Sequence, residues 1–217
     1  MIAAPTRAGK SYFVGACVEQ LYDAEEPFIV LDTKTSNHIG LQELPNVKKI
    51  QMKPGLKYNW DKLTDYDYLL CVPTLRTKTA DLIDLYRDLV DAVFTEPGER
   101  HIIVEEAHNW NRNSSVPDSL LELVAREGAG RRKLLWFVTQ RLQDFPKLLW
   151  SQCGYTYLFK HSIPQDIRYI EQMIPDFTQI NRKLNKHDVL IWDHGSQDLE
   201  GQIVPAADVT RRTPHRG

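Results

Sequence analysis

The sequence predicts an α/β fold of three layers, with helices on both faces of a mainly parallel central sheet. Short apolar and β-branched runs alternate along the chain with segments whose apolar residues recur at helical spacing. This alternation is typical of a parallel sheet, because parallel strands need a long crossover between them, usually a helix. The 217 residues are enough for one domain with a full hydrophobic core.

The predicted elements follow one another in a regular order. Residues 27–31 are a continuous apolar run that ends at Asp32, as a buried parallel strand does. Residues 79–94 carry apolar side chains at helical spacing, and the aspartates between them indicate a solvated helix face. Further strands are predicted at residues 68–72, 101–105, 134–138 and 155–159, and further helices at residues 12–22, 120–126 and 145–152.

The end of the chain departs from this pattern. Residues 189–192 and 202–204 are apolar runs that flank Gly195 and Ser196, which predicts an antiparallel hairpin at the edge of the sheet. We find no repeat, linker or low-complexity stretch, so we predict a single domain over residues 1–209. Residues 210–217 are expected to form a flexible basic tail.

Composition excludes several classes of protein. No apolar run approaches the length of a membrane span, and the first residues lack the features of a signal peptide, so we expect a protein that works inside a cell. Cys17, Cys71 and Cys153 are too far apart for a zinc site or a disulfide framework. The net charge of −2 excludes a globally basic nucleic-acid coat but leaves room for a local basic patch.

Residues 4–11, Ala-Pro-Thr-Arg-Ala-Gly-Lys-Ser, match the Walker A phosphate loop, with Ala4 where the strict pattern has glycine. Main-chain N–H groups would surround the β-phosphate, Gly9 would let the backbone come close, and the Lys10 amine would reach the β- and γ-phosphates. Ser11 would offer its hydroxyl to Mg²⁺. The expected ATP-binding residues are Ala4, Pro5, Thr6, Arg7, Ala8, Gly9, Lys10, Ser11 and Tyr12.

Three polar residues end the two strands predicted at residues 101–105 and 134–138. Glu105 and Glu106 lie at the carboxyl end of the first of these strands, where parallel sheets bind their ligands. This is the position of a Walker B element. We interpret Glu105 as a ligand of Mg²⁺, through water, and Glu106 as the group that orients the attacking water or accepts its proton. Gln140 could hydrogen-bond both the γ-phosphate and that water, or simply cap its strand.

A basic turn between these strands contains Arg126, Arg131, Arg132 and Lys133. Any of the three arginines could act on the γ-phosphate of a neighbouring subunit, as an arginine finger does. The alternatives are a solvated loop and a contact with the DNA backbone. Other candidates for a DNA contact are the lysines Lys48, Lys49, Lys53 and Lys57.

From residue 1 to about residue 206, the chain resembles the HerA/FtsK superfamily of ring-forming motor ATPases, in the additional-strand-catalytic-glutamate group of RecA-like folds. The resemblance rests on the phosphate loop, on Val-Leu-Asp-Thr-Lys at residues 30–34 and on Ile-Ile-Val-Glu-Glu-Ala-His-Asn at residues 102–109. Its most specific part is Phe-Val-Thr-Gln-Arg at residues 137–141, followed by Ser-Gln-Cys at residues 151–153. Glu105 departs from the family, which has aspartate there, and the N-terminal barrel of cellular HerA proteins is missing.

The resemblance implies a RecA-like P-loop NTPase that binds ATP and Mg²⁺, forms a homohexameric ring and moves double-stranded DNA through its pore. A motor core of this length is similar to the genome-packaging ATPases of internal-membrane viruses with double jelly-roll capsids, which implies a capsid or membrane vertex partner and a location in the host cytoplasm or the virion. The alternatives are a cellular HerA-type or conjugation-type DNA pump, and an ATP-binding assembly switch without motor activity. An RNA helicase is disfavoured, because the chain has no second RecA-like domain.

Overall fold

The computed structural model describes residues 1–111, 113–196 and 201–215, and within them a mixed sheet of nine strands forms the centre of the molecule. The strands are β1 (Ile2–Ala3), β2 (Phe28–Leu31), β3 (Lys48–Met52), β4 (Tyr68–Pro73), β5 (Arg100–Val104), β6 (Lys133–Thr139), β7 (Tyr155–Phe159), β8 (Val189–Asp193) and β9 (Gln202–Val204). Their order across the sheet is β3-β4-β2-β5-β6-β1-β7-β8-β9. The first seven strands pair in parallel, and β8 and β9 are antiparallel additions at one edge.

Helices cover both faces of this sheet. They are α1 (Lys10–Asp23), α2 (Trp60–Thr64), α3 (Thr79–Thr95), α4 (Ser119–Glu127), α5 (Lys147–Ser151), α6 (Pro164–Glu171) and α7 (Phe177–Lys183). On β2, Phe28 and Val30 pack with α1 in one core cluster, whereas Ile29 and Leu31 pack with α3 and α4 in the other. This division follows from the strand geometry, since successive side chains point to opposite faces. No described helix is both long and apolar enough to cross a bilayer.

The structure confirms the predicted α/β class, the mainly parallel sheet and the C-terminal antiparallel hairpin. The sequence did not predict β1, β3, α2, α6 and α7, and β1 has only two residues. β3 is an edge strand in which only Met52 is fully buried, so its sequence lacks the apolar run of an interior strand. The three helices have five, eight and seven residues, too few for a clear helical period.

The C-terminal segment differs from the flexible tail that the sequence predicts. The guanidinium of Arg211 donates to the carbonyl oxygen of Ser11 at 3.1 Å, and the main-chain N–H of Thr213 donates to Glu19 on α1 at 2.8 Å. Gly15 leaves room for this packing, because a Cβ there would lie 2.3 Å from Arg211. Residues 211–215 are therefore packed on α1, and Arg216 and Gly217 lie outside the described residues.

Candidate nucleotide-binding site

The phosphate loop connects β1 to α1 at the carboxyl edge of the sheet. β1 lies between β6 and β7, and α1 begins at Lys10 directly after Gly9. Gly9 has a left-handed backbone with φ of +98°, and a Cβ there would lie 3.1 Å from Nδ1 of His187, so glycine is required. Among the described residues no side chain caps the N-terminus of α1, which leaves its first N–H groups available to an anion.

Lys10 and the two glutamates after β5 lie together, as the sequence predicts for a Walker A and Walker B pair. Lys10 is only 8% exposed, and its ammonium lies 2.9 Å from Glu105 Oε2 and 3.4 Å from Glu106 Oε1. Burial alone lowers the pKa of Lys10, but the two carboxylates outweigh it and the pKa is raised. Burial likewise raises the pKa of Glu105, and the charges of Lys10 and His38 outweigh it and hold this pKa below its ordinary value. Lys10 is therefore ion-paired with both glutamates.

The backbone at Glu106 explains how two consecutive glutamates can face the same lysine. Neighbouring side chains of a strand point to opposite faces, but Glu106 has φ of +49° and ψ of +47°, in the left-handed region. This conformation is uncommon for a residue with a Cβ and costs about 1 kcal/mol or more. Strained backbone of this kind is concentrated at functional sites, where the surrounding structure maintains it.

Glu106 and Gln140 are positioned by their neighbours at the ends of β5 and β6. Glu106 Oε2 lies 3.4 Å from the main-chain nitrogen of Gln140 and 3.4 Å from Nδ1 of His108. The Thr6 hydroxyl donates to Gln140 Oε1 at 3.1 Å, which joins the phosphate loop to this strand. Gln140 thus lies beside both the loop and Glu106, in agreement with its predicted place.

His38 is a site residue that the sequence analysis missed. It is fully buried, and its Nε2 lies 2.7 Å from Glu105 Oε1. Its main-chain N–H donates to Asp32 Oδ2 at 3.2 Å, so the end of β2 holds it in place. Asp32 was identified as the end of a strand and as part of the Val-Leu-Asp-Thr-Lys match at residues 30–34. Burial, reinforced by the charge of Glu105, raises its pKa to about 6. A lone histidine in a loop gives no sequence signal for such a contact.

The predicted metal ligands fit Mg²⁺ in their chemistry. Ser11 supplies a hydroxyl next to Lys10 in sequence, and Glu105 and Glu106 supply carboxylate oxygens, the donors that Mg²⁺ prefers. Both oxygens of Glu105 already have partners, Oε2 in Lys10 and Oε1 in His38. A contact between Glu105 and the metal through water, as the sequence suggests, is compatible with this arrangement.

A cavity of about 570 Å³ opens over the phosphate loop. Its polar lining includes Lys10, Ser11, Glu106 and Gln140. Its apolar lining includes Phe159, Val189, Ala206 and Val209. The volume is in the range of small-molecule sites, and a lining that combines apolar side chains with a few polar groups is typical of them.

The predicted arginine fingers lie away from this cavity. β6 begins at Lys133 and ends at Thr139, beside the phosphate loop. The basic turn therefore lies about 20 Å from the phosphate loop of its own chain. Each arginine has a partner: Arg126 pairs with Glu122 at 2.8 Å, Arg131 lies over the Phe94 ring at 4.7 Å, and Arg132 pairs with Glu99. Any role at a nucleotide would therefore be in a neighbouring subunit.

Comparisons with known proteins give matches in structure alone. No protein-family model matches the sequence, and a search of curated proteins finds no relative. The fold is similar to that of the genome packaging NTPase B204 from Sulfolobus turreted icosahedral virus 2 in complex with ATPγS, with a TM-score of 0.72 and 16% sequence identity. The match covers 94% of this chain and 95% of that one.

Two further structures of the same kind agree with this result. The B204 complex with AMPPCP has a TM-score of 0.71 at 16% identity, and B204 described as the DNA-packaging ATPase from Sulfolobus Turreted Icosahedral Virus has a TM-score of 0.65 at 16% identity. Each match covers 94% of this chain and 95% of that one. The resemblance to packaging ATPases is thereby confirmed for the fold.

Proposed function

We propose that this protein is a Mg²⁺-dependent ATPase that drives the translocation of double-stranded DNA during the packaging of a viral genome. The observation that carries the proposal is the convergence of Lys10 with the carboxylates of Glu105 and Glu106 beside an open helix N-terminus. The fold similarity to B204, whose structures contain ATPγS, AMPPCP and AMP, supports a nucleotide as the ligand. The description of B204 as a genome-packaging enzyme supports the packaging role.

The phosphate loop and Lys10 bind and position ATP in this proposal. The N–H groups at the start of α1 and the Lys10 ammonium would offset the charge of the β- and γ-phosphates. Lys10 must exchange its carboxylate partners for phosphate oxygens, so nucleotide binding and the release of Glu105 would occur together. Ser11 and Glu105 would hold Mg²⁺, which supplies positive charge at the phosphate oxygens.

Glu106 is the proposed general base. Its carboxylate lies in the cavity, where it can accept a hydrogen bond from the attacking water and then its proton. The main-chain N–H of Gln140 and the ring of His108 lie on its second oxygen and limit its movement. The Gln140 side chain, held by Thr6, can contact the water and the γ-phosphate together.

The proposed assembly is a homohexameric ring in which Arg126, Arg131 or Arg132 reaches the nucleotide of the next subunit. Double-stranded DNA would pass through the pore, and a capsid or membrane vertex protein would anchor the ring in the host cytoplasm or the virion. A cellular HerA-type or conjugation-type pump would use the same site. An assembly switch would need neither the strained Glu106 nor Gln140, so these residues favour a hydrolase.

Assays of ATP hydrolysis with and without linear duplex DNA distinguish the motor from the switch. We expect duplex DNA to stimulate hydrolysis, and the stimulation to fade as salt rises, because phosphate contacts release counterions. The Glu106→Gln variant serves as the control for contaminating ATPase. A confirmed ring that hydrolyses ATP at the same rate with and without DNA at low salt would contradict the motor.

A further inference from the structure

Two loops leave the carboxyl edge of the sheet side by side, after β3 and β4. We name them the Leu56 loop (residues 53–57) and the Leu75 loop (residues 74–78). Met52 and Pro73 are partners in the β3–β4 register, and the main-chain N–H of Thr74 donates to the carbonyl oxygen of Met52 at 3.2 Å. The two loops therefore start from adjacent points and form one surface.

Each loop combines an exposed leucine with two exposed cations. Leu56 is 53% exposed and Leu75 is 85% exposed, the highest value among the large apolar residues described. The cations are Lys53 and Lys57 in the first loop and Arg76 and Lys78 in the second. Within the described residues none of these four side chains has an ion pair or a hydrogen bond, so their charges are free for a partner.

The Leu75 loop holds its leucine outward in a defined turn. The hydroxyls of Thr74 and Thr77 lie 2.8 Å apart, and the main-chain N–H of Thr77 donates to the Thr74 carbonyl at 3.2 Å. Arg76 has a left-handed backbone with φ of +67°. A strained turn that exposes a leucine has no benefit for folding, because the side chain gains nothing from burial.

We propose that the Leu56 and Leu75 loops form the contact surface for duplex DNA, a proposal that rests on the proposed motor function. The four unpaired cations match a polyanion. The nearest carboxylates along the chain are Asp81, in the first turn of α3, and Asp61, in the first turn of α2. The lysines and Arg76 contact phosphates, and the two leucines pack against the sugars between them. Such contacts carry no base specificity, which suits a protein that moves DNA of any sequence.

The position of the loops separates this surface from the nucleotide site of the same chain. β4 lies four strands from β1, a distance of about 19 Å across the sheet. None of the four loop cations lines the nucleotide cavity. Charge changes in the loops should thus alter DNA binding without changing the affinity for ATP.

Paired charge reversals test the assignment. The test variants are Lys53→Glu with Lys57→Glu, and Arg76→Glu with Lys78→Glu. The matched control is Lys48→Glu with Lys49→Glu, which makes the same change of charge at the other end of β3. The measurements are the anisotropy of a fluorescent duplex across a salt series, binding of a fluorescent ATP analogue, basal hydrolysis and the molar mass in solution.

We expect each loop pair to weaken duplex binding about tenfold or more at low salt and to reduce the salt slope by about 1.8, at 0.9 for each lost phosphate contact. The control pair should bind duplex nearly as well as the wild type. Leu75→Ser should weaken binding without changing the salt slope, because it removes no charge. ATP binding and basal hydrolysis should remain unchanged in all of these variants.

Four results would overturn the assignment. If the wild type binds duplex DNA and both loop variants bind it equally well, the loops are not the contact surface. The proposed ATPase activity would be unaffected by this result. An equal loss in the control pair, which lies at the opposite end of β3, would show a general effect of net charge and would reject the loops as the specific contact. If the loop variants lose the molar mass of the assembled ring, the surface is a contact between subunits. If the wild type does not bind duplex DNA, both the loop assignment and the proposed motor function are rejected.

Discussion

Lys10 and Glu106 share a small buried volume, yet their chemistry gives them different roles. Lys10→Ala removes the charge that meets the phosphates, so we expect it to abolish ATP binding. Glu106→Gln keeps the shape of the side chain and removes the base, so it should bind ATP and lose hydrolysis by about a hundredfold or more. Equilibrium binding of a fluorescent ATP analogue and steady-state hydrolysis measure the two effects. A Glu106→Gln variant with the wild-type rate would reject the Walker B assignment.

His38 acts on Glu105 through one short buried contact. His38→Leu removes the partner of Glu105 Oε1, and the loss of a buried hydrogen bond to a charged group should lower the free energy of unfolding by about 2 kcal/mol. It should also raise the Mg²⁺ concentration needed for half-maximal hydrolysis, because Glu105 is less well oriented. His38→Gln retains a donor and should recover part of both properties. An unchanged Mg²⁺ dependence in His38→Leu would limit His38 to a structural role.

His161 makes folding sensitive to acid. Burial lowers its pKa to about 4, an effect that Asp166 at 3.9 Å only partly offsets. The folded state therefore disfavours the protonated ring, so stability is fully present above the unfolded pKa near 6.5 and is lost as the pH falls towards 4. Lowering the pH from 7 to 5 should therefore reduce the free energy of unfolding by about 2 kcal/mol through this residue. Urea unfolding of His161→Phe and the wild type at both pH values checks this, and equal losses in the two proteins would contradict it.

At the scale of elements, the C-terminal segment and α1 depend on one glycine. Gly15→Ala would place a methyl group 2.3 Å from the Arg211 guanidinium, so this guanidinium must leave its contacts with Ser11 and Thr213. Because Val209 and His215 line the nucleotide cavity, this movement should weaken binding of an ATP analogue and expose the segment to proteolysis. The stability loss should be about 1–3 kcal/mol, as for overpacking elsewhere.

Gly130→Ala is the matched control for Gly15→Ala. A Cβ at Gly130 would meet no atom within 4 Å, and this residue lies in the basic turn before β6, away from the cavity. We expect this variant to bind nucleotide as the wild type does. Equal effects of both substitutions would show that the packing of residues 211–215 on α1 does not influence the site.

At the scale of the whole molecule, activity should depend on assembly. The turn with Arg126, Arg131 and Arg132 lies at the opposite edge of the sheet from the phosphate loop, so it cannot complete the nucleotide site of its own chain. We therefore expect specific activity to rise as the protein concentration increases and the ring forms. Flat specific activity from dilute monomer to concentrated ring would contradict a site completed by a neighbour.

Mixed assemblies identify the arginine. The Arg131→Ala variant keeps its phosphate loop and Glu106, and the Glu106→Gln variant keeps its arginine. Mixing the two inactive proteins should restore part of the activity at mixed interfaces. The same mixture made with Arg126→Ala or Arg132→Ala shows which of the three side chains is needed. If no mixture recovers activity, none of these arginines acts on the nucleotide of a neighbouring subunit.

The sequence by itself determined the sheet class and the place of the nucleotide site, because both depend on local patterns. Alternating apolar runs and helical periods predict parallel strands, and the phosphate loop and the two glutamates end strands whose carboxyl ends meet at one edge. Lys10, Glu106 and Gln140 were therefore predicted to lie together, and they do. The roles of these residues stay predictions.

The tertiary structure alone decided three features that depend on contacts distant in sequence. His38 meets Glu105 across 67 residues, and Arg211 reaches Ser11 across 200. Two partners of the basic turn, Glu99 and Phe94, likewise come from other elements. Single histidines and arginines have no local period, and their surroundings are set by the packing of separate elements. No pattern in the sequence could therefore have placed them.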